Sequence, residues 1–324
     1  MMKVGLIDVD SHNFPNLPLM KLSAHHKENG DSVEFVKAGR KYDQVYISKI
    51  FTESKEPDIP FSAPSIIRGG SGYDLKNRLP DEVEHTFPDY SLYPQFHFAL
   101  GWLTRGCPHC DHPFCITPEK DGKISMKVAD LSEFWNGQKE IKLLDQNILA
   151  CKDRLDLLDQ LQDSGAWVEF NGGMDIRFVN SEIAERLSKL KVKIHHFAWD
   201  NPKERLEKQF DFVRPFLPQA DQNIKVYVLV NYWSTIPEDL HRIYFLRDHG
   251  YQPYVMIYDK QKFVNSRGRW LPGVMDRTTL EQRVHFKYCQ HLQRWCNSLQ
   301  IFRTTLDFND YLKSFWGDTK WINP

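Results

Sequence analysis

Short runs rich in β-branched and aromatic residues return about every 26 to 31 residues through the second half of the chain, at "EIKLLD", "WVEFNG", "KIHHFAWD", "IKVYVLVN" and "PYVMIYD". The segments between them carry a helical pattern. "KDRLDLLDQLQDSG" spaces Leu155, Leu158 and Leu161 and stops at Gly165, and "NSEIAERLSKL" sets Ile183, Leu187 and Leu190 behind a capping Asn180 or Ser181. "DNPKERLEKQFDFV" offers Asp200 or Asn201 as a cap and Pro202 in the first turn, and "IPEDLHRIYFLRDHG" repeats the design. With "FALGWLT" at 98–104 as the opening strand there are six βα-type strands. The expected class is α/β, and the expected architecture is a partial (β/α)6 TIM-type barrel, with a doubly wound sheet as the other arrangement of the same units. In either, reactive groups gather at the C-terminal ends of the strands.

Ahead of this rhythm, "KVGLID", the helical "NLPLMKLSAHHKENG", "SVEFV", "QVYIS" and "SIIRGG" read as strand, helix and three strands, a small Rossmann-like α/β domain over 1–75. A proline-rich stretch holding Pro57, Pro60, Pro64, Pro80, Pro88 and Pro94 marks the boundary, with 76–97 as the linker and 98–260 as the barrel. Residues 261–324 carry Trp295, Phe302, Phe308, Tyr311, Phe315, Trp316 and Trp321 and are expected to form a helical C-terminal cap. The opening "MMKVGLIDVD" lacks the features of a secretory signal, and no apolar run approaches the ~20 residues that cross a bilayer, so a cytoplasmic, non-membrane protein is expected. With 42 basic and 43 acidic residues there is no cationic field to hold nucleic acid.

Three of the six cysteines crowd into "RGCPHCDHPFC": Cys107, Cys110 and Cys115, spaced C-x2-C-x4-C directly after the first barrel strand. Three thiolates suit three irons of a [4Fe-4S] cluster, whose fourth iron stays open; they also suit zinc, with His109 or His112 closing a tetrahedral structural site. Polar residues follow the other strands: Asp145 and Asn147, then Asp175 and Arg177 in "NGGMDIR", then Asp200 and Asn201, then Asn231. Each is a natural cap or turn residue. "NGGMDIR" is less bland, since paired glycines permit close backbone approach to a ligand and the loop carries both charge signs.

These residues resemble the radical S-adenosylmethionine (SAM) enzymes, in which a cysteine triad after the first strand of a partial β/α barrel holds a [4Fe-4S] cluster. "TRGCP" and Phe114-Cys115 match the lead-in and the aromatic-cysteine ending of the family pattern C-x3-C-x-aromatic-C, and "ITPEKDGK" resembles the polar stretch that follows. The first gap here is one residue shorter and the second two longer, the spacing of the thiamin pyrimidine synthase branch. The N-terminal α/β region is similar to the cobalamin-binding-type domain of one large class of these enzymes. By resemblance, Cys107, Cys110 and Cys115 would ligate the cluster and SAM would occupy its open iron. Phe114 would present its backbone to the adenine, Asp145 and Asn147 would stand near the methionyl amine, Asp175 and Arg177 would meet ribose and carboxylate, and Asp200 would touch adenosine or substrate. The implied reaction is reductive cleavage of SAM to a 5′-deoxyadenosyl radical that abstracts hydrogen from a substrate the sequence does not name, with an external donor of flavodoxin or ferredoxin type. A zinc-binding interaction protein and a cobalamin-dependent radical SAM methyltransferase are the alternatives.

The sequence weighs against cobalamin. Asp10-x-His12 is reminiscent of a D-x-H-x-x-G cobalt-ligating pattern, but Pro15 stands where the glycine belongs. Cys151, Cys289 and Cys296 read as buried inert thiols, and His195 and His196 as strand residues on opposite faces.

Overall fold

The structure is a computed structural model in which residues 1–12, 14–109 and 112–315 are described. It is a mixed α/β protein built on parallel sheets. The chain packs as two compact units, one comprising Met1–Gly172 with Lys189–Val192 and the other Gly173–Ser188 with Lys193–Pro324.

The first unit opens with strand β1 (Lys3–Asp8), helix α1 (Leu17–Glu28), β2 (Ser32–Phe35), β3 (Gln44–Ser48) and β4 (Ser65–Gly69), an all-parallel sheet in the order β2-β1-β3-β4. Asn16 starts α1 by accepting from the Leu19 amide, and its own amide nitrogen reaches the hydroxyls of Ser11 and Ser48. One sheet face buries Val4 and Leu6 with Leu19, Leu22 and Val83, and the other buries Ile7, Val45 and Ile47 with Tyr42. Burial of the alternate positions of β1 on both faces is what a parallel strand between crossovers requires.

After a one-turn helix α2 (Asp81–Glu84) come β5 (Ala99–Gly101), β6 (Thr104–Arg105), α3 (Thr117–Lys120), β7 (Met126–Lys127), β8 (Glu140–Leu143), α4 (Arg154–Ser164) and β9 (Trp167–Phe170). The strands β5, β8 and β9 pair parallel in chain order. The expected opening strand at 98–104 is divided. Its first part is β5; its last residues leave the sheet as β6 and pair antiparallel with β7. The cause lies 40 residues on, where the Asp145 carboxylate accepts from the amides of Leu103 and Thr104 at 3.1 and 2.5 Å and so takes the donors a continuing strand would use. The outer edge of β9 is taken by a two-residue strand, β10 (Lys191–Val192), which follows α5 (Ser181–Lys189).

The second unit holds β11 (His195–Ala198), α6 (Glu207–Val213), β12 (Ile224–Val230), α7 (Ile236–Asp248) and β13 (Gln252–Ile257), with the strands parallel in chain order. All six expected βα strands are therefore present, and they pair consecutively inside each unit. The ladder is interrupted between β9 and β11, which belong to separate sheets. Helices α8 (Lys260–Phe263), α9 (Val274–Arg277), α10 (Leu280–Asn297), α11 (Leu299–Thr304) and α12 (Phe308–Phe315) follow. Side chains of α10 pin β13: the Asn297 carbonyl accepts from the Val255 amide, and the Gln293 and Asn297 amides donate to the Val255 carbonyl. Trp295, Phe302 and Phe308 cluster beneath α10, and Trp295 donates to the Thr305 carbonyl. Trp316 and Trp321 lie outside the described residues.

Cys289 and Cys296 are fully buried on α10, where burial pushes both thiols far up. They are inert packing residues, as is buried Cys151. His195 is fully buried and His196 nearly so; burial lowers the His195 pKa to about 4, against the pull of nearby Gln219, so its ring is neutral. No described helix is long and apolar enough to cross a membrane.

Candidate functional site

The cysteine loop is an excursion between β6 and β7, so a short antiparallel ladder closes its base. Gly106 sets its departure. Its φ is +90°, and a Cβ there would lie 2.2 Å from the Ile124 carbonyl on the returning limb, a place only glycine can fill. The Gly106 amide donates to Gln146, whose own amide holds Asp121. Cys107 donates from its amide to the Gly122 carbonyl, and Cys115 from its amide to the His112 carbonyl. Both thiols are half-buried, and Phe114 stacks on His112 at 5.3 Å between ring centres. Cys110 lies outside the described residues, and among the described residues no group of three His, Cys, Asp or Glu side chains is placed to hold a metal ion.

Asp145 and Asn147, at the end of β8, serve this loop directly. Asp145 is buried; besides the two amides, its Oδ1 accepts from the Thr104 hydroxyl at 2.6 Å. Burial raises its pKa to about 6 against the lowering effect of these donors. Since this folded-state pKa lies above the unfolded value, the group stabilises most at low pH, and that contribution is lost as pH rises through about 6. The unfolding free energy of the native chain minus that of Asp145→Asn is therefore expected to fall by about 2 kcal/mol between pH 4 and pH 7, since each pKa unit is worth 1.36 kcal/mol and the unfolded carboxyl is already partly ionised at pH 4. Urea unfolding at the two pH values checks this, and a difference that stays flat or rises rejects it.

Asn147 is 2 % exposed. Its Nδ2 donates to Cys107 Sγ at 3.7 Å, while its Oδ1 is sealed from solvent without a hydrogen-bond partner. The buried Ser125 hydroxyl, on the loop's returning limb, donates to its backbone carbonyl. Beside them, Gly172 explains the double glycine of "NGGMDIR". A Cβ there would lie 1.9 Å from the Asp145 carbonyl, so the close approach made by this glycine is to the end of β8.

The remaining candidates belong to the second unit. Asp175 caps a turn by accepting from the Arg177 amide, and the Arg177 guanidinium forks onto both Asp175 oxygens at 2.8 and 2.9 Å while its third arm reaches Glu204 at 2.7 Å. These two neighbours, with the larger opposing effect of burial, leave the guanidinium pKa raised. The backbone of Asp200 is held by Arg242, a residue on which the sequence pattern is silent. Arg242 is fully buried and donates to the carbonyls of Trp199, Asp200 and Leu229 and to the equally buried Asp239. Asn231, at the end of β12, sits at φ +67° and donates to the Tyr258 carbonyl.

A cavity of about 610 Å³ lies within the first unit. Its walls include Asn16 and Leu17 at the start of α1, Ser48 and Gly69 at the ends of β3 and β4, and Trp102, Arg105, Lys120 and Asp121 on the flanks of the cysteine loop. Arg105 stacks on Trp102 at 4.4 Å and pairs with Glu84 at 2.8 Å. A smaller cavity, about 320 Å³, holds Asp10 and His12. There Asp10 is taken up by the amides of Ile50 and Phe51, which outweigh its burial and lower its pKa.

No protein-family model and no curated protein matches the sequence. Among solved structures, the radical S-adenosylmethionine methyltransferase TsrM from Kitasatospora setae, determined with cobalamin and a [4Fe-4S] cluster bound, is similar over 79% of this chain and 75% of its own, with a TM-score of 0.57 and 11% identity. At that identity the likeness is one of fold.

Proposed function

We propose that the chain is a radical SAM iron-sulfur enzyme. The observation that supports this reading best is the position of the cysteine loop, launched just past the first strand of the β5-β8-β9 sheet in a chain that shares its fold with a radical SAM methyltransferase. Cys107, Cys110 and Cys115 would hold a [4Fe-4S] cluster. The donor set suits it: three thiols on one loop, beside Asn147, which keeps an orphaned acceptor. When bound, the cluster supplies the electron that cleaves SAM to methionine and a 5′-deoxyadenosyl radical, which abstracts hydrogen from substrate.

The chain's own residues then position and exclude. Asp145 and Gly106 fix where the loop leaves the sheet, and the Phe114 backbone faces the adenine. Asn147 Oδ1 is the acceptor available to the methionyl amine. In the second unit, Arg177 can take a ligand carboxylate by exchanging it for one of its present partners, Asp175 or Glu204. An external one-electron donor of flavodoxin or ferredoxin type completes the reading.

A second reading has one observation in its favour, the 610 Å³ cavity flanking the cysteine loop. In it the N-terminal sheet carries cobalamin and the reaction is methyl transfer. Setting cobalamin aside because of Pro15 is not supported, since the fold is shared with a structure that contains it. His12 is exposed in the smaller cavity, so cobalamin in the larger one would be held without it.

The test is anaerobic reconstitution with iron and sulfide, then incubation with SAM and dithionite. Brown protein that forms 5′-deoxyadenosine, or methylated cobalamin when cobalamin is added, is the expected result. Colourless protein carrying one zinc per chain would overturn the proposal in favour of a structural knuckle.

A further inference from the structure

We infer that Asn147 is a positioning residue that sets the reduction potential of the cluster through an N–H···S hydrogen bond to Cys107. The inference rests on the radical SAM reading and gives the Nδ2 of Asn147 a role separate from the one proposed there for its Oδ1.

Asn147 stands where asparagine usually caps, immediately before a turn at Ile148–Ala150, yet its side chain makes no capping bond. It points Nδ2 at Cys107 Sγ instead. This choice is costly, because the amide oxygen is left buried with no partner. Leucine would fill the same volume without that penalty. What leucine lacks is a donor.

The donor is also held in place. The Asn147 carbonyl is bound by Ser125 on the return of the loop, and the Cys107 amide is bound by Gly122 on the same limb, so a common piece of backbone anchors both partners. A neutral donor to a ligating thiolate favours the cluster state with more negative charge on sulfur, which is the reduced state, and hydrogen bonds to sulfur are among the recognised determinants of cluster potential. The amide does this without introducing a charge beside the thiols.

The experiment is a dye-mediated redox titration of the reconstituted full chain, followed by electron paramagnetic resonance of the reduced cluster, in the native protein and in Asn147→Ala and Asn147→Leu. Both variants should keep their iron and sulfide. At a fixed poise near the native midpoint, their reduced-to-oxidised ratio should fall about tenfold, about 59 mV for one electron. Pulsed measurements in deuterated buffer should show a coupled exchangeable deuteron in the native protein that both variants lack. A leucine variant with a full cluster and an unchanged midpoint overturns the inference and leaves the enzyme reading intact. Loss of the cluster from both variants also overturns it, by making Asn147 a folding residue. A native chain that takes up no cluster removes both.

Discussion

Arg242→Met is expected to destabilise the protein by about 3 to 5 kcal/mol, the usual cost of removing one partner from a buried ion pair. Arg242 and Asp239 share one face of α7, and neither side chain is exposed. Burial lowers the pKa of the arginine and raises that of the aspartate to about 6, each opposed by the other member of the pair. The guanidinium also satisfies three carbonyls, those of Trp199 and Asp200 after β11 and of Leu229 in β12. Methionine would abandon all of them and leave a carboxyl group buried without its counter-charge. Asp239→Leu added to Arg242→Met should recover much of the loss, because the pair together repays little of its desolvation. Urea unfolding of the two single variants and the double variant checks both statements. A loss below about 1 kcal/mol for Arg242→Met, or a double variant no better than the single, would show that the carbonyl ties and the pair carry little of the stability.

That residue also marks the limit of what the sequence makes legible. "IPEDLHRIYFLRDHG" reads correctly as a helix with a proline in its first turn, and the structure adds a capping box formed by Thr235 and Glu238. The sequence pattern is silent on Arg242, because its burial depends on carbonyls that two strand ends bring to it from far along the chain. The six βα strands are legible for the opposite reason: alternation within a strand is local, and β12 buries Ile224, Val226, Val228 and Val230 as its pattern indicates. The division of "FALGWLT" is not legible, since the agent is the Asp145 side chain. "NGGMDIR" advertises close approach, and Gly172 makes one, but to backbone of the same unit. Its charged pair, expected to serve a ligand, is bonded internally as Asp175 to Arg177. Sequence thus marks where chemistry-bearing residues stand along the chain, and long-range hydrogen bonding decides which are already occupied.

The largest functional effect is expected at the cysteine loop, and it distinguishes a cluster from zinc. Replacing Cys107, Cys110 or Cys115 singly by Ala should remove the iron-sulfur absorption and reduce 5′-deoxyadenosine to background, since each thiolate would hold one iron and no neighbouring side chain is an equivalent donor. His109→Ala and His112→Ala should leave iron content near the native level. A zinc knuckle gives a different pattern, because with three thiolates and one imidazole the loss of the ligating histidine releases metal as the loss of a cysteine does. Gly106→Ala supplies the geometric control. It keeps all three thiols but places a methyl group against the Ile124 carbonyl, so a loop pinned at its root should lose cluster almost as fully as a cysteine variant. Iron, sulfide and zinc analysis of the six variants, read together with the deoxyadenosine assay, decides the matter. If any of the three cysteine variants keeps both colour and turnover, that residue leaves the ligand set, and the C-x2-C-x4-C spacing no longer defines the site.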